Sequence, residues 1–360
     1  SAGKEGVFYV WTRDEILEVL GAEAGARFCA RYQIEAHGNF ASHEPYHEGL
    51  NIPHLAEALS EEEEAAFAPM REALLRVRED RVRPGRDDKI LTSWNGLMVS
   101  AFAEAYRAFE TPEYREAAEA AAGFLLENLR EDGRLLRTYR NGVAHLPGYL
   151  DDYAFLANAC VDLYEATFDL AWLDAAEELT AAMITHFWDE EHGAFFATAE
   201  HHPHLIARSQ PLLDGAEPSG NAIAANVLLR LGLLRDQPRD QERATAVLES
   251  TLALAERAPR GIAWSLCAAR FAGASAKEVV IAGARQAEDT QALLRVYNTS
   301  FVPAAVLALV QSEDEDAIQR IPLLAGKEPV GGSAAAYVCV GKTCQAPVTA
   351  PGALSEALRQ

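Results

Sequence analysis

Acidic turns recur at near-constant intervals along this 360-residue chain. Asp87-Asp88, Asp151-Asp152 and the stretch Asp214-Gly215-Ala216-Glu217-Pro218-Ser219-Gly220-Asn221 follow one another at spacings of 64 and 63 residues. A regular interval of that size is the mark of a repeated supersecondary unit. The segments between the acids read alike as helix, short turn, helix and a Gly-rich polar stretch. The repeat is therefore an α-hairpin with a connecting loop.

Apolar periodicity supports three such hairpins. Ile90, Leu91, Trp94, Leu97, Met98, Ala101, Phe102, Ala105 and Phe109 follow the i, i+3, i+4, i+7 rule of a helix over 88–109. Its partner starts after Thr111-Pro112, where Pro suits a first helical turn. The next pair covers 152–167 and 170–187, and the third about 218–234 and 239–257. Between the pairs, residues 132–142 and 193–198 read as short β-hairpins, the former through its Asn141-Gly142 turn, and they are expected to be the only strands of the helical region.

The flanks read differently. Residues 1–83 hold a strand-like Val7–Trp11, a helix from Thr12 with Glu15 completing a capping box, a second helix through Phe28, a polar loop and an acidic helix from Ser60 to about Arg81. Residues 273–360 carry strands at 278–283 and 335–340 around a helix at 291–297, a small α/β appendage. The expected organisation is an N-terminal part of the helical fold (1–83), a core of hairpins with an acidic mouth (84–272) and the appendage (273–360). The fold class is mainly α.

Charge narrows the function. With 32 basic against 54 acidic residues, the net charge of −22 repels nucleic-acid phosphates and anionic lipid surfaces. No run approaches a membrane span, the N-terminus lacks a hydrophobic signal region, and a cytoplasmic location is expected. Cys29, Cys160, Cys267, Cys339 and Cys344 are too few and too scattered for a disulfide framework, so reduced thiols are expected. The spacing of Cys339 and Cys344 fits neither the usual redox pair nor a zinc knuckle.

In a ring of hairpins, alternate helices point the same way, so the starts of the inner helices gather at one rim. Carboxylates there meet free N–H groups and the positive end of each helix dipole. Either member of an acid pair alone reads equally well as an N-cap; the doubling suggests chemistry. Within the first helix, Asn95 and Gly96 cost helix stability, roughly 1 kcal/mol for the Gly, an expense that ordinary packing does not ask for. Paired carboxylates suit glycosidic cleavage, one acting as acid and the other as nucleophile or base. The candidate catalytic residues are Asp88, Asp152, Asp87, Asp151 and Asp214, with Asp88 and Asp152 first. The candidate substrate-binding residues are Trp94, Asn95, Tyr149, Tyr153, Arg208, Ser219 and Asn221. No His falls on the inner helices, which counts against a His-driven epimerase. His201, His202 and His204 read as a solvated turn, and no metal or cofactor is expected.

The ordered motifs Asp87-Asp88-Lys89-Ile90-Leu91-Thr92-Ser93-Trp94-Asn95-Gly96-Leu97-Met98, Leu150-Asp151-Asp152-Tyr153-Ala154-Phe155 and Glu217-Pro218-Ser219-Gly220-Asn221 resemble the thioredoxin-fused family related to the spermatogenesis-associated thioredoxin-like proteins. The resemblance runs from Gly6-Val7-Phe8-Tyr9-Val10-Trp11-Thr12 to Cys344-Gln345-Ala346-Pro347-Val348. It implies a toroid of (α/α)6 type, similar to the six-hairpin glycosidases and the N-acylglucosamine 2-epimerases, downstream of a thioredoxin-like domain. The chain departs from the family in lacking that domain, in beginning inside the toroid and in holding Gln210 where the family usually has Lys. An incomplete ring would expose apolar faces, implying either a longer natural protein or association with a thioredoxin-like domain or the missing barrel segment.

The leading expectation is thus a carbohydrate-active toroid, glycosidase-like or sugar-isomerase-like, acting on a small carbohydrate. A non-catalytic module that binds carbohydrate or protein is the alternative, and redox chemistry at Cys339 and Cys344 a third.

Overall fold

The computed structural model describes residues 3–41, 43–202, 206–273, 276–311 and 314–360. It divides the chain into two compact units, Ser1–Asp88 and Lys89–Gln360. The first contains β1 (Trp11–Thr12), α1 (Arg13–Leu20), α2 (Ala22–Arg31), β2 (Leu50–Asn51) and α3 (Glu61–Glu79). Thr12 and Ser60 cap α1 and α3 through the reciprocal box with Glu15 and Glu63. The expected strand over Val7–Trp11 shrinks to Trp11–Thr12, paired antiparallel with β2, and residues 7–9 form turns instead. Trp11, Ile16, Phe28, Tyr32 and Phe67 form this unit's core.

The second unit opens with β3 (Ile90–Leu91), α4 (Thr92–Phe109), α5 (Pro112–Asn128), β4 (Arg130–Glu131), β5 (Arg134–Arg140), β6 (Val143–Pro147), α6 (Leu150–Thr167) and α7 (Leu170–Phe187). It continues with β7 (Trp188–Asp189), β8 (Ala194–Phe195), α8 (Gly220–Leu234), α9 (Pro238–Leu252) and α10 (Ala263–Ala272). Helices α4, α6, α8 and α10 pack side by side in that order, and α5, α7 and α9 return antiparallel behind the first three. This is the layout of an (α/α) toroid, and the fold is mainly α.

The division of labour is written in the residues. Every residue of α6 except Leu150's neighbour Asp151 and Asn158 is buried, as a helix walled by others on all sides must be. Its acids survive burial through partners: Asp162 pairs with Arg230 at 2.6 Å, and Glu165 pairs with Arg230 at 3.1 Å and Arg107 at 3.2 Å. Gly96 is a packing residue after all. A Cβ there would lie 2.9 Å from both Leu156 N and Phe155 C of α6, so the missing side chain is what lets the two inner helices approach. Asn95 donates to the Leu91 carbonyl at 2.8 Å and holds the helix entrance.

The β5–β6 hairpin forms where expected, with Asn141 and Gly142 both at positive φ in its two-residue turn and Arg140 opposite Val143. β7 and β8 make the second, shorter hairpin. The expectation that these are the only strands of the helical region fails at β3, which pairs with β5 through Ile90 opposite Tyr139. The apolar spacing places Ile90 and Leu91 in the helix, but they pair with β5 and α4 starts only at Thr92.

The C-terminal part comprises β9 (Lys277–Ala282), α11 (Glu288–Thr299), β10 (Ala305–Val310), α12 (Glu315–Arg320), β11 (Ala335–Val340), β12 (Thr343–Cys344) and α13 (Pro351–Arg359). The strand order is β10-β9-β11-β12, with β10 parallel to β9 and β11 antiparallel. Val280, Ala282, Val306 and Ala308 face the helical core, while Val279, Ile281 and Leu307 face a second cluster built with α11 and α13. Burial on both faces explains why β9 and β10 are almost continuously apolar. Cys339 and Cys344, opposite each other on β11 and β12, are joined in a disulfide, correcting the expectation of reduced thiols for this pair. Cys29, Cys160 and Cys267 are free. No helix among the described residues is long and apolar enough to cross a membrane.

Candidate functional site

The second unit gathers the starts of α4, α6 and α8 at one rim, and the acidic residues there divide into two kinds. Asp152 is fully buried and its oxygens are consumed. They accept the backbone N–H of Ser93 at 3.0 Å and of Tyr149 at 2.9 Å, with the Arg137 guanidinium at 3.4 Å. One carboxylate thereby caps α6 and ties it to the first turn of α4. Burial still pushes this carboxyl above the ordinary range. Asp214 is likewise a clamp, its two oxygens accepting the N–H of Ser219 at 2.8 Å and of Trp264 at 3.0 Å, at the starts of α8 and α10.

Asp151 is the exception. It accepts the Gly220 N–H at the start of α8, and it is only partly buried. Burial above all, then the charges of Asp152 and Glu217, raise its carboxyl to about 6, against the pull of Arg137 and the Gly220 N–H. Glu217 accepts the indole N–H of Trp94 at 2.6 Å, and the Trp94 ring is itself 57% exposed. Arg137 lies 4.6 Å over the Tyr149 ring, whose other neighbour, His202, stacks at 5.2 Å. Ala199 N–H donates to His202 Nδ1 at 3.0 Å. An acid whose carboxyl is raised to about 6, a second carboxylate and an exposed indole therefore meet at the rim.

The remaining expected ligands are structural. The Tyr153 hydroxyl, buried, accepts Leu135 N–H at 2.8 Å. Asn221 is fully buried and bonds both the N–H and the carbonyl of Phe195, at 2.8 and 2.9 Å. Ser219 Oγ donates to Pro211 O at 3.0 Å, and Arg208 donates to Thr198 O and His186 O at 2.8 and 3.1 Å. Gln210 bonds Asp189 at 2.9 Å. Asp87 and Asp88 are exposed, in irregular chain at the end of the first unit, and the helix they were expected to open starts four residues later. His204 lies outside the described residues, which contain no cluster of metal-ligating side chains.

Sequence reading missed Arg137, Glu217 and His202 as site residues. Glu217 could have been found, since it precedes the start of α8 by three residues within a motif already singled out. Arg137 depends on the β5 register and carries no local signal.

No family model matches the chain. Human spermatogenesis-associated protein 20 is 31% identical over 389 residues, covering 99% of this chain and 50% of that protein. The mouse protein of the same name is also 31% identical, and an uncharacterized protein of Caenorhabditis elegans is 27% identical over 98% of the chain and 51% of its own length. The chain spans about half the length of the curated relatives it matches. Similar solved structures include a GH76 alpha-mannanase of Bacteroides thetaiotaomicron, with TM-score 0.40, 17% identity and coverage of 48% of this chain and 46% of that one. Cellobiose 2-epimerase from Spirochaeta thermophila gives TM-score 0.38, 18% identity and coverage of 48% and 44%. Over almost its whole length the chain is thus similar to spermatogenesis-associated protein 20, as the resemblance carried by its ordered motifs implies.

Proposed function

We propose that the rim of the second unit is a carbohydrate-active site in which Asp151 holds and delivers the proton, Glu217 is the partner carboxylate, and Trp94 offers a flat face to a sugar ring, with Tyr149 flanked by Arg137 and His202. The observation that carries this reading is Asp151, a partly accessible carboxyl raised to about 6 beside a second carboxylate and an exposed indole. Asp152, first in the expectation from sequence, serves better as the clamp that fixes Asp151's helix, because its oxygens are already taken. Asn95, Tyr153, Arg208, Ser219 and Asn221 support the rim from behind.

The test is product analysis on a panel of aryl glycosides and reducing sugars, with Asp151→Asn, Glu217→Gln and Asp88→Asn compared in parallel. Loss of about 10²-fold or more in turnover for Asp151→Asn is the expected outcome. Turnover that survives this substitution removes Asp151 from the mechanism.

A second reading is favoured by a specific observation: Asp152 and Asp214, two of the five expected catalytic acids, are saturated by backbone N–H groups. A rim whose acids serve chiefly as caps suits a module that binds carbohydrate without turning it over. Saturable binding with no product from any member of the panel would select this reading.

A further inference from the structure

One turn below the rim, the inner helices line a cavity of about 640 Å³, with Leu97 on α4, Phe155 on α6, Ile223 on α8 and Trp264 on α10 among its walls and Tyr297 and Asn298 also lining it. Its floor carries strong charge that is spent internally. Arg230 is held by Asp162 and Glu165, and Arg107 by Glu165 and Glu104, at 2.6 to 3.2 Å. Arg107 Nε also donates to Asn298 Oδ1 at 3.2 Å. Two guanidinium groups facing three carboxylates leave no positive charge for an incoming anion.

The neutral groups are in the opposite condition. Asn226 donates one N–H to Asn158 Oδ1 at 3.0 Å, and its own carbonyl oxygen takes part in no hydrogen bond among the described residues. Among the described residues, Asn298 uses only its oxygen, leaving both amide protons over, and Ser100 Oγ accepts from Asn158 while its O–H makes no further bond. The cavity thus combines spare amide and hydroxyl valence with apolar and aromatic surface. Groups that both donate and accept are answered best by hydroxyls.

We propose that this cavity is a deep compartment that takes a neutral, hydroxyl-rich ring and rejects uronates and sugar phosphates. Asn226, Asn298 and Ser100 set the specificity, and Trp264 lies against the ring face. The inference rests on the sugar reading of the rim, and it names the ligand class that the rim would receive. An anionic sugar would have to bury its charge beside Glu104, Asp162 and Glu165 with both arginines already committed.

Cys267 makes the test direct, because it is an exposed free thiol lining this cavity, whereas Cys29 and Cys160 are buried. Its alkylation by iodoacetamide is followed in the whole chain by mass spectrometry while mannose, glucose, glucuronate or glucose 6-phosphate is titrated. Neutral sugars are expected to slow modification at least 5-fold at saturation, with the anionic sugars about 10-fold weaker in apparent affinity. Asn226→Leu, close in size, is expected to weaken protection by neutral sugars about 10-fold while the melting temperature stays within a few degrees.

Equal or stronger protection by glucuronate overturns the proposal, as does undiminished protection in a folded Asn226→Leu variant, or no protection by any neutral sugar. Asp151→Asn separates this idea from the proposed chemistry. Protection retained in that variant with turnover lost supports both, and turnover retained with protection intact refutes the acid while sparing the compartment.

Discussion

Replacing Gly96 by Ala tests the packing of the inner helices, because two effects of opposite sign meet at that position. A mid-helix Gly→Ala change gains about 1 kcal/mol in helix propensity. Against it, the new Cβ would lie 2.9 Å from two backbone atoms of α6, Leu156 N and Phe155 C, and 3.1 Å from Phe155 Cβ. Backbone cannot rotate away as a flexible side chain can, so α4 and α6 must separate by several tenths of an ångström along their contact. Overpacking of this kind costs about 1–3 kcal/mol, and the backbone nature of the contact places it at the upper end. The net expectation is destabilisation by about 2 kcal/mol, a fall of roughly 4–8 °C in melting temperature for a unit of this size. Gly123→Ala on α5 is the internal control, since a Cβ there meets nothing within 4 Å. It should stabilise by about 0.5–1 kcal/mol. Urea unfolding and differential scanning calorimetry read both variants. A Gly96→Ala protein as stable as the parent, or more so, would refute the close-approach argument, because propensity alone would then be deciding the sign.

Four further expectations follow from the geometry. Asp151 has a carboxyl raised to about 6 from an ordinary 3.8, so its ionisation opposes folding; the cost is absent below about pH 4, grows between pH 4 and 6 and is complete above. Asp151→Asn should therefore raise the melting temperature at pH 8 and leave it nearly unchanged at pH 4, as thermal melts across that range would register; catalysis through its protonated form should fall above about pH 6. Asp152→Ala strands two backbone N–H groups at helix starts and should cost about 2–4 kcal/mol in chemical denaturation. Arg230→Met leaves the buried Asp162 without its cation and Glu165 with Arg107 alone, and should cost about 3–5 kcal/mol at pH 7.5, measured by circular dichroism melts. Reducing the Cys339–Cys344 disulfide, which closes a loop of only a few residues, should lower stability by about 2 kcal/mol in melts with and without dithiothreitol, a modest loss that leaves the sheet folded.

What the chain discloses before folding is its periodicity. The helices α5, α6 and α7 are written in apolar spacing, and the Asn141-Gly142 turn in two residues that tolerate positive φ. The acidic turns were also legible as helix-start signals, but their roles were not. Asp151 and Asp152 are adjacent and chemically identical, and only the fold decides which one turns inward to cap the helix and which reaches the start of α8. Gly96 misled for a related reason: its use depends on Phe155 and Leu156, some 60 positions away, and no local rule carries that information. β10 went unnamed because a short run such as Ala305–Val310 has no period of its own when both faces are covered.

Position 220 carries a consequence for how relatives of this chain can vary. A Cβ on that residue would collide with Asp151 Oδ1 and crowd Leu150, so a side chain at 220 requires the Asp151 carboxylate to leave its present place. Sequence drift at the rim is therefore constrained in pairs: a lineage that gains a methyl group at 220 must shorten, redirect or surrender the acid at 151. The acid at the rim keeps its present place through an absence, a hydrogen where every other amino acid has carbon.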